Sequence, residues 1–180
     1  MKKIILSAIV AVASLSASAQ VFVGGALGFQ STKANKDAKA NSAFTLAPEV
    51  GYTFNENWEA GIALGMQFKN NKQGNTIGGD IYGRYHYLKT GIASLFVELN
   101  AGIDAVKGAG EGAQTGTIFG FGIKPGVKIA LSDKVALVAK TGLLGAEFAN
   151  EKAQALGYNK TGFAIGVNNV NIDLGVYYSF

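Results

Sequence analysis

The sequence of residues 119–131 is FGFGIKPGVKIAL. Large apolar residues or proline occupy the odd positions from Phe119 to Leu131, and glycine, lysine or alanine occupies the even positions. A period of two places neighbouring side chains on opposite faces of an extended strand. The segment is therefore predicted to be a β-strand with one apolar face and one face of small and charged side chains.

The same alternation extends over the rest of the chain, and no long apolar stretch or helical periodicity follows Gln20. Phe96 is an exception, because it is apolar on the polar face of its segment. The segments predicted to be strands are 21–30, 44–54, 58–68, 79–88, 93–103, 119–131, 135–148 and 162–180. A series of eight short alternating strands is typical of an up-and-down barrel. We predict an all-β, antiparallel, eight-stranded fold.

The connections between the predicted strands alternate in length. The sequence predicts tight turns at 55–57, 89–91 and 132–133, and longer polar connections at 31–42, 70–78, 107–115 and 149–161. Barrels of the bacterial outer membrane have short periplasmic turns and longer outer loops. This asymmetry therefore predicts that both chain termini are periplasmic.

Alternation alone leaves the direction of the apolar face open, because a soluble lipocalin-like barrel has its apolar side chains inside. The aromatic residues of this face lie near the strand ends, as in the girdles of membrane barrels. The predicted girdles contain Phe54, Trp58, Tyr85 and Tyr87 on the turn side, and Phe29, Phe44, Phe68 and Phe119 on the loop side. The opposite face is rich in glycine, which suits a lumen with little room for side chains. We therefore predict an eight-stranded antiparallel up-and-down transmembrane β-barrel.

The predicted lumen face carries charged and titratable side chains of both signs: Glu49, Glu59, Asp80, Arg84, His86, Glu98, Asp104, Lys124, Lys128, Lys140 and Asp173. Six of these side chains are expected at similar distances along their strands from the turns, and they are predicted to form an interior polar network. They are Glu49, Arg84, Glu98, Lys124, Lys140 and Asp173. An unpaired charge would be costly to bury. The network is interpreted either as a gate or as a packed polar core, and the small lumen favours the packed core.

His86 is the only histidine and the one candidate for a general base, with Ser94 or Ser179 as its nucleophile. A metal site needs more ligands than one histidine. None of these three residues is expected on the lipid face, where an acyl chain would enter. We therefore predict no catalytic residues, metal ligands or cofactor, and the chain is not expected to be an enzyme.

The start of the chain and its composition predict export. Lys2 and Lys3 precede an apolar run and the small residues 17–19, as in a secretory signal, and the run is too short for a membrane anchor. We predict a signal peptide at 1–19 and one barrel domain at 20–180.

The absence of cysteine excludes disulfides and thiol chemistry. The mature chain, without the two signal lysines, has 14 of the 16 basic residues and all 12 acidic residues. This nearly balanced charge does not favour binding to nucleic acid.

Local irregularities are also predicted. The apolar parity of residues 163–167 is opposite to that of the last strand, so a β-bulge is expected near Asn168 and Asn169. Pro48 and Pro125 each remove a donor from a strand ladder. A bulge or a gap is therefore expected beside each proline.

The last strand carries the most specific signal, because it alternates and ends on the aromatic Phe180. It resembles the C-terminal sorting strand of outer-membrane proteins, which implies recognition by the barrel-assembly machinery through Ile172, Leu174, Val176, Tyr178 and Phe180. The mature chain resembles the small outer-membrane barrels that include outer membrane protein X and the membrane domain of outer membrane protein A. No peptidoglycan-binding domain follows Phe180, so tethering of the cell wall by that route is not implied.

The resemblance implies a monomeric barrel in the outer membrane of a Gram-negative bacterium, in contact with outer-membrane lipids and lipopolysaccharide. Lys33, Lys36 and Lys39 lie in the first loop, where they could meet lipopolysaccharide phosphates, although such runs are usually only solvated. The predicted function is a structural, envelope-integrity or surface-interaction role without an open pore. The alternatives are a lipid-modifying outer-membrane enzyme and a narrow porin-like channel.

Overall fold

The computed structural model describes residues 20–32, 41–70, 74–108, 114–165 and 172–180. The strands are β1 Gln20–Thr32, β2 Asn41–Thr53, β3 Trp58–Lys69, β4 Asn75–Thr90, β5 Ala93–Lys107, β6 Thr115–Ala130, β7 Val135–Thr141, β8 Leu144–Ala149, β9 Thr161–Ile165 and β10 Ile172–Ser179. A short helix, α1, spans Glu151–Ala155. Among the described residues, no helix has the length and apolar character needed to cross a bilayer.

The strands close into an antiparallel barrel. Each of β1 to β6 pairs with the next strand along the chain, β6 then pairs with both β7 and β8, and β10 joins β7 to β1. Two barrel strands are each made of two segments: β7 and β8 form one, and β9 and β10 form the other. The ten segments therefore form eight barrel strands. The predicted eight-stranded, all-β, up-and-down barrel is confirmed.

Pro125 lies opposite the break between β7 and β8. β6 pairs Ile123 with Leu144 and resumes by pairing Gly126 with Lys140. Between these pairs, residues 141–143 lie opposite only two residues of β6, 124 and 125. This is a β-bulge with one extra residue. The bulge reverses the facing of β8, so that Glu147 lines the lumen.

Pro48 disturbs its ladder differently. Pairing between β2 and β3 passes from Leu46 with Met66 directly to Glu49 with Ala63, and the register on the two sides of the gap is the same. The predicted disturbance is thus a gap without a bulge. The bulge predicted at 168–169 lies outside the described residues.

The two faces of the barrel differ as the alternation predicted. Large apolar side chains such as Leu64, Ile81 and Leu99 are exposed on the outer face. Buried charged side chains, including Arg84 and Glu98, lie on the inner face. Since an exposed apolar surface of this extent is stable only against another apolar phase, the outer face is the lipid-contacting face.

The two ends of the barrel also differ. On the turn side, Asn55 Oδ1 accepts hydrogen bonds from the N–H groups of Asn57 and Trp58, and Ser132 Oγ accepts one from Val135. Such side-chain bonds stabilise tight turns. On the loop side, α1 forms inside the predicted connection 149–161, and its N-cap Asn150 accepts a hydrogen bond from the N–H of Ala153.

Candidate functional site in the barrel lumen

The guanidinium of Arg84 is the centre of a buried charge cluster in the turn-side half of the lumen. Nε donates to Glu98 Oε2 and Nη2 donates to Glu49 Oε2, both at 2.7 Å. The side chains of Arg84, Glu49 and Glu98 are each 1% exposed. Arg84 and Glu98 are cross-strand partners on the neighbouring strands β4 and β5, whereas the ion pair with Glu49 joins β4 to β2 past the intervening strand β3.

Lys140 and Tyr177 complete this central cluster. Lys140 Nζ donates to Glu49 Oε1 at 2.7 Å and to Glu98 Oε2 at 3.2 Å. The Tyr177 hydroxyl donates to Glu49 Oε2 at 2.7 Å. Each carboxylate therefore contacts both cations, as a stable buried cluster requires.

A second group continues the cluster toward the turn side. Glu59 forms an ion pair with Lys128 and lies 3.6 Å from Arg84 Nη1. Its Oε2 atom is 3.4 Å from His86 Nε2, and His86 Nδ1 is 3.0 Å from Ser94 Oγ. Together the two groups contain three carboxylates and three permanent cations, so with neutral histidine their net charge is zero.

Aromatic rings fill the space beside the charges. The guanidinium of Arg84 lies 4.4 Å from the ring centroid of Tyr82 and 5.3 Å from those of Phe96 and Tyr177. Phe22 packs edge-on against Tyr177. Rings, carboxylates and cations together occupy the lumen at this height, which a narrow eight-stranded barrel favours.

Lumen glycines make room for these rings. A Cβ atom added to Gly51 would overlap the ring of Phe22, and one added to Gly126 would overlap the ring of Phe96. Gly61 lies in the same way against the hydroxyl of Tyr82. The glycine-rich inner face is therefore the surface on which the lumen aromatics pack.

The loop-side half of the lumen is more open. It contains a cavity of about 500 Å³ whose charged lining residues are Asp80, Asp104, Lys124 and Glu147. Of the six residues predicted for the interior network, Glu49, Arg84, Glu98 and Lys140 are in direct contact. No ion pair within 4.0 Å joins Lys124 or Asp173 to them among the described residues.

Several lumen residues were missing from the predicted network. Glu59 and Lys128 were expected on the lumen face but not in the network, and the ring contacts of Tyr82 and Tyr177 were not expected. Both tyrosines share the strand parity of the lumen charges, which is the signal that identifies them. Within the described ranges, no group of three or more histidine, aspartate or glutamate side chains is placed to hold a metal ion.

The predicted girdle residues all lie on the outer face and are exposed: Phe29, Phe44, Phe54, Trp58, Phe68, Tyr85, Tyr87 and Phe119. Trp58 and Tyr85 are in contact, with ring centroids 4.8 Å apart. Tyr87 is the extra residue of a bulge, since the β4–β5 register shifts between His86 and Leu88. In the described part of the last strand, Ile172, Leu174, Val176, Tyr178 and Phe180 are likewise exposed.

A closed eight-stranded barrel with an apolar outer face and a charged lumen is typical of an integral outer-membrane protein. The chain belongs to the family described as Outer membrane protein beta-barrel domain, which it matches over residues 4–180. This membership places it in the outer membrane of a Gram-negative bacterium, in contact with membrane lipids.

Solved structures share the fold. Neisserial surface protein A (NspA) is 13% identical with a TM-score of 0.59, and the match covers 89% of this chain and 96% of that one. The N-terminal β-barrel domain of Pseudomonas aeruginosa OprF is 15% identical with a TM-score of 0.55, covering 91% and 100%. No curated protein sequence matches the chain.

Proposed function

We propose that this protein has a structural or surface-interaction role in the outer membrane and forms no open pore. The observation that carries the proposal is the central cluster, in which Arg84 and Lys140 hold Glu49 and Glu98 across the lumen. Ordered loop-side structure supports a surface role, because α1 packs on β6 through Ala153, which is fully buried.

The proposed orientation has the termini and the tight turns in the periplasm and the long loops outside. Phe180 and Gln20 lie at the same end as the turns 54–57 and 131–134. We further propose that residues 1–19 are a cleaved signal peptide, that the last strand is recognised by the barrel-assembly machinery, and that the mature barrel is a monomer. Short turns on the periplasmic side are general for this class.

We propose that the protein is not an enzyme, although Ser94 and His86 are in hydrogen-bond contact. With Glu59 they have the composition of a hydrolytic triad. The His86 side chain is 4% exposed, and the small cavity beside it lies inside the turn-side end of the barrel rather than on the lipid face. A lipid ester would have to leave the bilayer to reach Ser94, which argues against lipid modification.

We expect purified protein in planar lipid bilayers to show no large, steady single-channel current. An ion crossing the lumen has to pass the level where Arg84, Glu98 and the surrounding rings fill the barrel, and opening it would leave buried charges unpaired. Single-channel recording on refolded protein measures this directly. Sustained conductance well above the bilayer background would favour the porin-like alternative.

Deletion of the gene is expected to increase sensitivity to detergent or to induce an envelope-stress response. A barrel without a pore contributes to the outer membrane through its packing with lipid and through its loops. The measurement is survival on detergent plates, with complementation by the wild-type gene. An unchanged deletion strain would argue against the envelope-integrity role and leave surface interaction through the loops.

A further inference from the structure

The loop-side aromatic girdle has no member on two neighbouring strands, β4 and β5. Phe44 and Phe68 are cross-strand partners on β2 and β3. Nearer the loops, Asn75 of β4 pairs with Lys107 of β5, which pairs in turn with Thr115 of β6. All three polar residues are exposed. The girdle is therefore replaced here by hydrogen-bonding side chains and one cation.

An apolar groove lies on the membrane-facing side of this interruption. Met66 pairs with Ile77, and Ile77 pairs with Ala105, one row further from the loops. The small Ala105 side chain leaves a depression beside Phe68 and Ile77, and the groove has a volume of about 320 Å³. Its upper end is lined by Asn75, Lys107 and Thr115.

The groove has two chemically distinct parts. Its lower part is aliphatic and aromatic, and it faces hydrocarbon, where polar ligands are unstable. Its upper part presents the Lys107 ammonium, which has no ion-pair partner among the residues that the structure describes. Lysine is a common phosphate ligand, and its charge complements an anionic headgroup.

We propose that this loop-side groove binds one acylated lipid with a phosphate-bearing headgroup, taken from the outer leaflet. An acyl chain lies over Ile77 and Ala105, and a headgroup phosphate contacts Lys107, with Asn75 and Thr115 as hydrogen-bonding neighbours. The proposal rests on the proposed orientation, in which the loop side faces the outer leaflet. It assigns a defined lipid site in addition to general contact with the membrane.

The test is native mass spectrometry of the folded, detergent-solubilised protein titrated with bis-phosphorylated lipid A. We expect one bound lipid A at saturation. Lys107→Gln is expected to weaken binding about fivefold, the effect of one lysine near an anionic surface. Ala105→Phe fills the groove and is expected to weaken binding to a similar or larger extent. Removing the phosphates from lipid A is expected to weaken its binding to the wild-type protein. The loss should be as large as the loss that Lys107→Gln causes for intact lipid A.

The controls separate this site from general lipid contact. Lys134→Gln removes a lysine at the turn side, and Ala101→Phe adds the same ring further along the outer face of β5. Both are expected to bind lipid A as wild type does, and heat-modified gel mobility verifies that every variant is folded. Equal binding by all variants, or equal binding of the two lipid forms, would overturn the proposal. Neither result would change the conductance or deletion assays, which test the proposed function separately.

Discussion

Arg84→Met is expected to lower the free energy of unfolding by about 3–5 kcal/mol, the usual cost of breaking a buried ion pair. Methionine has a similar length but no charge, so Glu49 and Glu98 would share only Lys140. The resulting excess negative charge would remain buried. The measurement is urea-induced unfolding in lipid vesicles, followed by fluorescence of Trp58, the only tryptophan.

Lys89→Met is the matched control for this variant. Lys89 pairs with Glu56 at 3.5 Å, but their side chains are 38% and 92% exposed, and such pairs contribute about 0–1 kcal/mol. A second variant, Arg84→Met with Glu98→Gln, removes one of the uncompensated carboxylates and is expected to recover part of the loss. If Arg84→Met cost no more than Lys89→Met, the cluster would not be what stabilises the closed lumen.

The fold could be predicted from the sequence because strand alternation is local. The split between Phe119 and Gly120, repeated along β6, fixes which face is apolar without reference to any partner strand. The facing of Glu147 could not be predicted in the same way. It depends on one extra residue opposite Pro125, and a shift of one residue exchanges the two faces of the strand.

The candidate site was predicted only in part, because height along the strands does not determine side-chain contacts. Lys124 is the cross-strand partner of Glu98, and Asp173 is the partner of Lys140. Glu98 is instead bound by Arg84, its cross-strand partner on β4, and by Lys140, which reaches it past the intervening strand β6. Long flexible side chains select the best-coordinated buried arrangement, which pairing alone does not specify.

Ile81→Arg is expected to destabilise the barrel in lipid vesicles by about 2–4 kcal/mol, the cost of arginine on the lipid face near the bilayer midplane. Ile81 is 65% exposed and lies on β4 between the loop-side Asn75 and the turn-side Tyr85. The arginine would face hydrocarbon, where neither water nor a carboxylate solvates it. Urea unfolding of the refolded protein in vesicles measures the change.

Ile92→Arg makes the same substitution at the turn side, where Ile92 is 67% exposed in the turn between β4 and β5. The cost of arginine falls to about 0–1 kcal/mol near the membrane interface, so this variant is expected to be nearly as stable as wild type. The difference between the two variants isolates depth in the bilayer from the loss of isoleucine itself. Equal stabilities would mean that Ile81 faces water, and the assignment of the apolar face to lipid would then be wrong.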